Sequence, residues 1–537
     1  MKRIVIVGGV AGGMSAATRL RRLDPEASIT VLERSGFVSY ANCGLPYYLG
    51  GVIADQEALL LQTPESLDSR FALDVRVNSE VTHIDRDLQE VEVRSQDGSY
   101  RLKYDTLILS PGAQPIVPPI PGIERAYTLR TVEDVNRISD AVMAQPASAV
   151  VIGGGFIGIE SAENLAHRAI PTAIVEAADQ VMTPLDPELA TLVHDEILTN
   201  GVQLFLGSGV ERIDDSHVYL SDGRALPAEL VITAIGVRPD TSLARGCGLE
   251  IGERGGIIVN EFGQTSDLTI YAIGDVAEKK DAFDGSATLV PLANIANRQG
   301  RVAADHIMGR AVRPVATVGT AIVKVFGLTV AVTGWNEKRL TAQQIPTQVI
   351  HTHPGSHAGY YPGAEQMALK LLVHQKTHEI LGAQAVGKDG VDKRIDVIAT
   401  AIRCNLPAPE LADLELAYAP PFGSAKDPVN MLGYIAENLL NGLTENIQWH
   451  QVKELAMQGY ALLDVRTREE FADGFVPNAI NIPLDELRDS FDQLPDTPII
   501  VYCQVGQRGH TATVFIREMG FHAVNLDGGF ETWTASQ

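Results

Sequence analysis

Two cysteines in this 537-residue chain stand where a thiol could do chemistry. Cys43 lies in Ser39-Tyr40-Ala41-Asn42-Cys43-Gly44-Leu45-Pro46-Tyr47-Tyr48, and Cys503 opens the loop Cys503-Gln504-Val505-Gly506-Gln507-Arg508-Gly509 after the apolar run Ile499–Tyr502. A thiolate is both a nucleophile and a redox group, and it needs nearby positive charge or N–H donors to form near neutral pH. At Cys503 the glycine-containing loop and a helix expected over Thr511–Met519 aim backbone N–H groups at the sulfur, and Arg508 adds a cation. That arrangement suits a persulfide carrier. Cys247 and Cys404 have no comparable surroundings and read as fillers.

The elements that must position Cys43 begin at the N-terminus. An apolar strand over residues 3–7 runs into the turn Gly8-Gly9-Val10-Ala11-Gly12-Gly13, a helix, and a second strand, Ser28–Leu32, that ends at Glu33. Glycines here let the backbone approach a pyrophosphate at the helix N-terminus, and the acid accepts ribose hydroxyls. Val10 takes the second glycine position, so the fingerprint is imperfect. A second copy is complete: Ala149–Ile152, then Gly153-Gly154-Gly155-Phe156-Ile157-Gly158, a helix to about Arg168, and Thr172–Val175 ending at Glu176. An acid at Glu176 favours a free ribose 2′-hydroxyl, hence NADH, with NADPH as the second candidate. Pro115–Gly122 separates the two copies as an interdomain crossing.

Composition narrows the classes. The length implies roughly three or four domains. A net charge of −24 argues against nucleic acid and anionic membrane surfaces. No apolar run reaches the ~20 residues that span a bilayer. The four scattered cysteines make neither a disulfide framework nor a metal cluster, so a cytoplasmic setting with reduced thiols is expected.

With Thr106–Ala113, Leu230–Pro239 and Ile270-Tyr271-Ala272-Ile273-Gly274-Asp275 added, the chain resembles the two-dinucleotide-binding flavoprotein disulfide reductases. The resemblance implies FAD at the first fingerprint, with Gly8, Gly9, Gly12, Gly13, Glu33, Arg34, Ser110, Gly112, Gly274 and Asp275 as contacts. It implies NAD(P)H at the second, with Gly153, Gly155, Gly158, Glu160, Glu176 and Gly236. Most such reductases carry a Cys-x4-Cys dithiol, but the positions five residues either side of Cys43 are Val38 and Tyr48. A lone thiol must store its oxidised state as a mixed disulfide, persulfide or sulfenic acid. The Cys43 segment resembles the single-cysteine branch containing coenzyme A disulfide reductases. NADH oxidases and peroxidases of that branch usually carry a histidine in the first glycine turn, where this chain has Ala11.

From the same resemblance, Arg19, Arg22 and Arg70 would hold the CoA phosphates, and Ser39, Asn42, Asn297 and Lys426 would make further CoA contacts. The segments around Tyr360-Tyr361 and Tyr418 resemble a dimerisation domain whose tyrosines enter the partner's active site. There Tyr418 and one of Tyr360/Tyr361 would bond or protonate the departing thiolate. Beyond Asn446, Ala461–Phe471, Gly474–Pro483, the Cys503 loop and Gly528–Trp533 resemble a rhodanese domain, with Phe475 where many members have histidine.

The expected fold is α/β, with two Rossmann-like dinucleotide-binding domains, an α+β dimerisation domain and a C-terminal rhodanese α/β domain. The expected boundaries are 1–114 with 246–324 for FAD, 115–245 for NAD(P)H, 325–443 for dimerisation and 450–537 for rhodanese. The reading is a homodimeric FAD- and NAD(P)H-dependent reductase of CoA disulfide, CoA persulfide and polysulfide. In it Cys503 delivers sulfane sulfur to coenzyme A, and Cys43 reduces the CoA persulfide. The alternative is an NADH oxidase or peroxidase using a Cys43 sulfenic acid beside an accessory sulfurtransferase. A non-catalytic redox sensor would show negligible turnover with any sulfur substrate.

Overall fold

The computed structural model describes residues 2–537, and its contacts divide the chain into two units. The first comprises residues up to Ala177 with Gly201–Thr317; the second comprises Ala178–Asn200 with Val318–Gln537.

The first unit holds two parallel five-stranded sheets of the same design. In one, Arg3–Val7 lies between Ser28–Leu32 and Thr106–Leu109, with Asp74–Arg76 and Ile270–Ala272 at the edges. In the other, Ala149–Ile152 lies between Thr172–Val175 and Leu230–Thr233, flanked by Gln203–Phe205 and Tyr127–Thr128. The central strands are apolar runs buried on both faces, as parallel sheets covered by helices require. Each fingerprint turn therefore opens at the carboxyl end of a central strand, where ligands of such folds bind. Pro115, expected in an interdomain crossing, ends a short strand, Ala113–Pro115, paired antiparallel with Val237–Pro239.

The helix Ala11–Leu23 packs closely along Ala293–Ile307. A Cβ at Gly300 would lie 2.4 Å from the Gly12 carbonyl oxygen, so only glycine permits that approach.

The second unit contains an antiparallel sheet ordered Ala321–Val325, Leu328–Gly334, Ile380–Gly387, Met367–His374, Thr347–Thr352. It also holds a parallel sheet ordered Asn446–Ile447, Ala523–Leu526, Ile499–Tyr502, Ala461–Asp464, Ile480–Asn481. The helix Pro187–Thr199 packs against strands of the antiparallel sheet and against the C-terminal helix Gly529–Ala535. Among the described residues no helix is long and apolar enough to cross a membrane.

Candidate active site

In the first unit the two acids do the same job. The Gly9 N–H donates to Glu33 Oε2 at 2.8 Å, and the Gly154 N–H donates to Glu176 Oε2 at 2.7 Å. Each carboxylate thus draws a glycine turn to the strand beside it. Burial raises the Glu33 pKa, against the opposing pull of the Ser35 and Gly9 N–H groups. The last glycine of each turn tolerates no side chain: a Cβ at Gly13 would stand 1.9 Å from the Gly8 oxygen, and one at Gly158 1.9 Å from the Gly153 oxygen. Neither helix has a side-chain cap on its first N–H groups, which leaves them to a phosphate.

A cleft of about 360 Å³ runs from the first turn, lined by Gly8, Glu33, Arg34, Asn42, Ser110 and Arg130 among others. Gly112 also lines it, in the left-handed region at φ 76°. Arg34 pairs with Asp240 across the cleft at 3.1 Å. Arg130 Nη2 donates to Asp275 Oδ2 at 2.6 Å, a pairing no sequence motif announced. Gly274, at φ 76°, donates its N–H to Gln299 Oε1, and its carbonyl accepts from buried Lys279 at 2.6 Å. Gly236, at φ 120°, turns the chain after Leu230–Thr233.

Cys43 is free and exposed, in a single turn, Asn42–Gly44, that leads into the helix Leu45–Gly50. That helix packs on Phe156–His167: a Cβ at Gly50 would lie 1.9 Å from Asn164 Oδ1, and Arg168 donates to the Leu49 carbonyl. The contact delivers Tyr47 Oη to Glu160 Oε1 at 3.0 Å. Burial, then the Glu163 charge, pushes Glu160 up to about 7 against the Tyr47 bond. Burial by the surrounding wall raises the Cys43 thiol, and the Glu160 carboxylate adds to this, while Arg130 opposes it. Protonating Glu160 removes its contribution.

The expected cations separate by environment. Arg19 is committed to Asp305 at 2.6 Å and is mostly buried. Arg22 is exposed and bonds within its helix, to the Thr18 carbonyl and hydroxyl; Arg70 is exposed on Pro64–Phe71. Arg21 ties the two helices by donating to the Phe71 and Ala72 carbonyls. Ser39 adopts φ 47° and donates its N–H to the Gly9 carbonyl; Asn297 Oδ1 accepts from Ser15 on the first helix.

In the second unit, the Tyr360 and Tyr418 hydroxyls lie 3.0 Å apart, both exposed. Tyr361 instead sets its ring edge-on to His357, so Tyr360 is the one coupled to Tyr418. Lys426 is exposed just before the helix Pro428–Leu440.

Cys503 is fully buried, and its sulfur accepts the Gly506 N–H at 3.2 Å. The helix begins at Gln507, not Thr511, because Gly506 caps it at φ 95°. Arg508 therefore sits in its first turn, in a two-bond pair with Glu470 at 2.6 and 2.8 Å. That pair, against burial, raises Arg508, with a smaller contribution from Cys503. The same pair holds the Glu470 carboxyl down at about 2. Buried Arg466, paired to Asp464, donates to Gln504 Oε1 at 3.0 Å and fixes the loop from below.

Two mononucleotide-type sheets with matching glycine turns, a thiol in the turn before a short helix, and a C-terminal α/β layer define a known class. Residues 2–300 match the pyridine nucleotide-disulphide oxidoreductase family, 320–428 its dimerisation domain, and 448–536 a rhodanese-like domain. The chain belongs to the pyridine nucleotide-disulphide oxidoreductase family and is an oxidoreductase. Over 443 residues it is 34% identical to a coenzyme A disulfide reductase of Staphylococcus aureus, covering 81% of this chain and 100% of that one. It is also similar to the crystal structure of reduced Bacillus anthracis CoADR-RHD, at 48% identity and a TM-score of 0.98 over 100% of this chain and 98% of that one. A NAD-dependent persulfide reductase from A. fulgidus matches at 37% identity and a TM-score of 0.93, over 99% of this chain and 100% of that one. FAD and NAD(P)H are the family's cofactors, and the two uncapped glycine cradles fit their pyrophosphates.

Proposed function

We propose that the chain is an FAD-dependent NAD(P)H reductase of CoA persulfide, polysulfide and CoA disulfide, acting as a cytoplasmic homodimer. The observation that carries this reading is the free, exposed Cys43, set beside the FAD cleft and beside the Tyr47–Glu160 pair, with no second thiol within its segment. The named relatives, a coenzyme A disulfide reductase and a persulfide reductase, support the substrate class.

FAD supplies the two-electron link between the nicotinamide and Cys43. Gly8, Gly9, Gly12 and Gly13 would seat its pyrophosphate, Glu33 its ribose, and Arg34, Ser110, Gly112, Gly274 and Asp275 the rest. Gly153, Gly155, Gly158, Glu176 and Gly236 would seat NAD(P)H, with Glu160 facing the thiol. The Cys43 thiolate attacks the inner sulfur of a CoA persulfide, the S–S bond breaks, and hydrosulfide leaves. A Cys43–CoA mixed disulfide remains. Two electrons from NADH cleave it to the Cys43 thiolate and CoA thiol. The balance is NADH plus CoA persulfide giving NAD⁺, CoA thiol and HS⁻.

Arg22 and Arg70 suit the CoA phosphates, with Ser39, Asn42, Asn297 and Lys426 as further contacts, and Tyr360 and Tyr418 suit the departing thiolate. Arg19 serves by bracing its helix on Asp305. Cys503, with Gly506 N–H and the helix start at its sulfur, carries sulfane sulfur and hands it to CoA thiol.

The test compares NADH consumption with CoA disulfide, CoA persulfide, polysulfide, oxygen and peroxide. Sulfur substrates should dominate; oxygen or peroxide turnover exceeding them would replace this reading with the oxidase one. A Cys503→Ser variant that kept full turnover of polysulfide and elemental sulfur would exclude an obligatory relay through Cys503.

A further inference from the structure

The carbonyl of Cys503 is held from a segment that is itself fastened to another domain. Phe530 donates its N–H to the Cys503 carbonyl at 2.8 Å, and Glu531 donates its N–H to the Gln504 carbonyl at 3.0 Å. The residues just before them, Gly528 and Gly529, are both in the left-handed region, at φ 68° and 67°. A Cβ on Gly529 would lie 2.5 Å from the Cys503 oxygen, so this strap presses directly on the sulfur loop.

The strap starts at Asp527, which is buried and anchored on the antiparallel sheet. Its Oδ2 accepts from the His351 backbone N–H at 2.8 Å and from His351 Nδ1 at 2.8 Å. His351 Nε2 lies 2.9 Å from Glu188 Oε1 on the helix Pro187–Thr199. Glu188 in turn meets the buried ammonium of Lys370, which also bonds Asp186 and Glu337. With a carboxylate at each nitrogen, the ring carries hydrogen on both and is an imidazolium. Gln448 adds a second tie between the layers, donating to the Val349 carbonyl and to Asp527.

We infer that His351 is a positioning residue for sulfur transfer, holding through Asp527 and the two glycines the strap that sets the Cys503 loop. The inference rests on reading Cys503 as the sulfur carrier. It makes the rhodanese chemistry depend on a residue outside the rhodanese domain.

The two ring nitrogens allow a separation. His351→Asn keeps a donor at the Nδ1 position toward Asp527; His351→Gln keeps one at the Nε2 position toward Glu188. On the full-length flavoprotein, thiosulfate-to-cyanide sulfur transfer, iodoacetamide capture of Cys503 and NADH turnover with CoA disulfide are measured. His351→Gln should lose about tenfold in kcat for sulfur transfer, with KM for thiosulfate little changed, and Cys503 should be alkylated about tenfold faster. His351→Asn should keep sulfur transfer within about threefold of wild type. NADH turnover with CoA disulfide should hold in both. Equal behaviour of the two variants, or a wild-type alkylation rate in His351→Gln, would overturn the inference. If His351→Gln does not fold, Asp527→Asn reads the same strap, and wild-type alkylation there overturns it too. If the wild-type protein transfers no sulfur, the reading of Cys503 fails, while the alkylation contrast still decides the strap.

Discussion

The Tyr47 hydroxyl lies 3.0 Å from Glu160 Oε1, joining the helix that follows Cys43 to the helix that follows the second glycine turn. Glu160 is pushed up to about 7 by burial, so near neutral pH it exchanges a proton beside the thiol. Below that pH it is neutral and its repulsion of the Cys43 thiolate is gone; above it, the charge opposes thiolate formation.

Glu160→Gln should therefore remove a pH-dependent limb near 7 from the rate of Cys43 alkylation in the two-electron-reduced enzyme. In wild type, that limb should appear as thiolate reactivity rising less steeply with pH above 7 than a lone thiol would give. A pH–rate profile of iodoacetamide capture checks it; identical profiles in the two proteins would remove Glu160 from this role.

Arg22 and Arg70 carry exposed guanidinium groups with no ion pair among the described residues, whereas Arg19 is held by Asp305. Arg22→Ala and Arg70→Ala should each raise KM for CoA disulfide about tenfold with kcat nearly kept, and added salt should shrink the difference. Arg19→Ala should instead lower the melting temperature, since it takes from mostly buried Asp305 its nearest cation and leaves it only the more distant Arg310 and Arg301, at 3.6 and 3.9 Å. Steady-state kinetics and thermal melts separate the two classes.

How much of this was legible follows from the range of the contacts. The strands Arg3–Val7, Ser28–Leu32, Ala149–Ile152 and Thr172–Val175 declared themselves because buried parallel strands are short apolar runs ending in turn glycines. The local turn at Gly506 misled only by its reach: its left-handed φ starts the helix at Gln507, four residues early, and moves Arg508 from loop to helix. Arg130 with Asp275, Tyr47 with Glu160 and His351 with Asp527 were not legible. Each joins residues more than a hundred positions apart, and no spacing rule marks such a pair.

The tyrosines sort by partner. Tyr360 and Tyr418 share a hydroxyl contact, while Tyr361 packs on His357. Tyr418→Phe and Tyr360→Phe should each lower kcat with CoA disulfide by about ten- to a hundredfold, the range for a lost proton donor. Tyr361→Phe should stay within about twofold. Turnover of the three variants checks the assignment.

His351 is raised to about 9: burial alone would lower it, but Asp527 and Glu188 overcome that, with Lys370 opposing them. His353, just beyond the end of that strand, is pushed down to about 3 by burial and by the His351 charge, so it stays neutral throughout. The His351 contribution to stability is then fully present below about 6.5 and is lost as pH rises through about 9. The melting temperature of wild type should fall over that interval, and the fall should be smaller in His351→Gln. Scanning calorimetry from pH 6 to 10 checks the sign.

In the proposed reaction Cys43 takes the CoA moiety while sulfur leaves as hydrosulfide. An anaerobic single turnover with CoA persulfide, before NADH is added, tests it most directly by peptide mass and sulfide release. About one hydrosulfide per active site and a CoA adduct on the Cys43 peptide are expected, and NADH then discharges the adduct. Hydrosulfide release with Cys43 unmodified, or a sulfenic acid there in place of the CoA adduct, would contradict it.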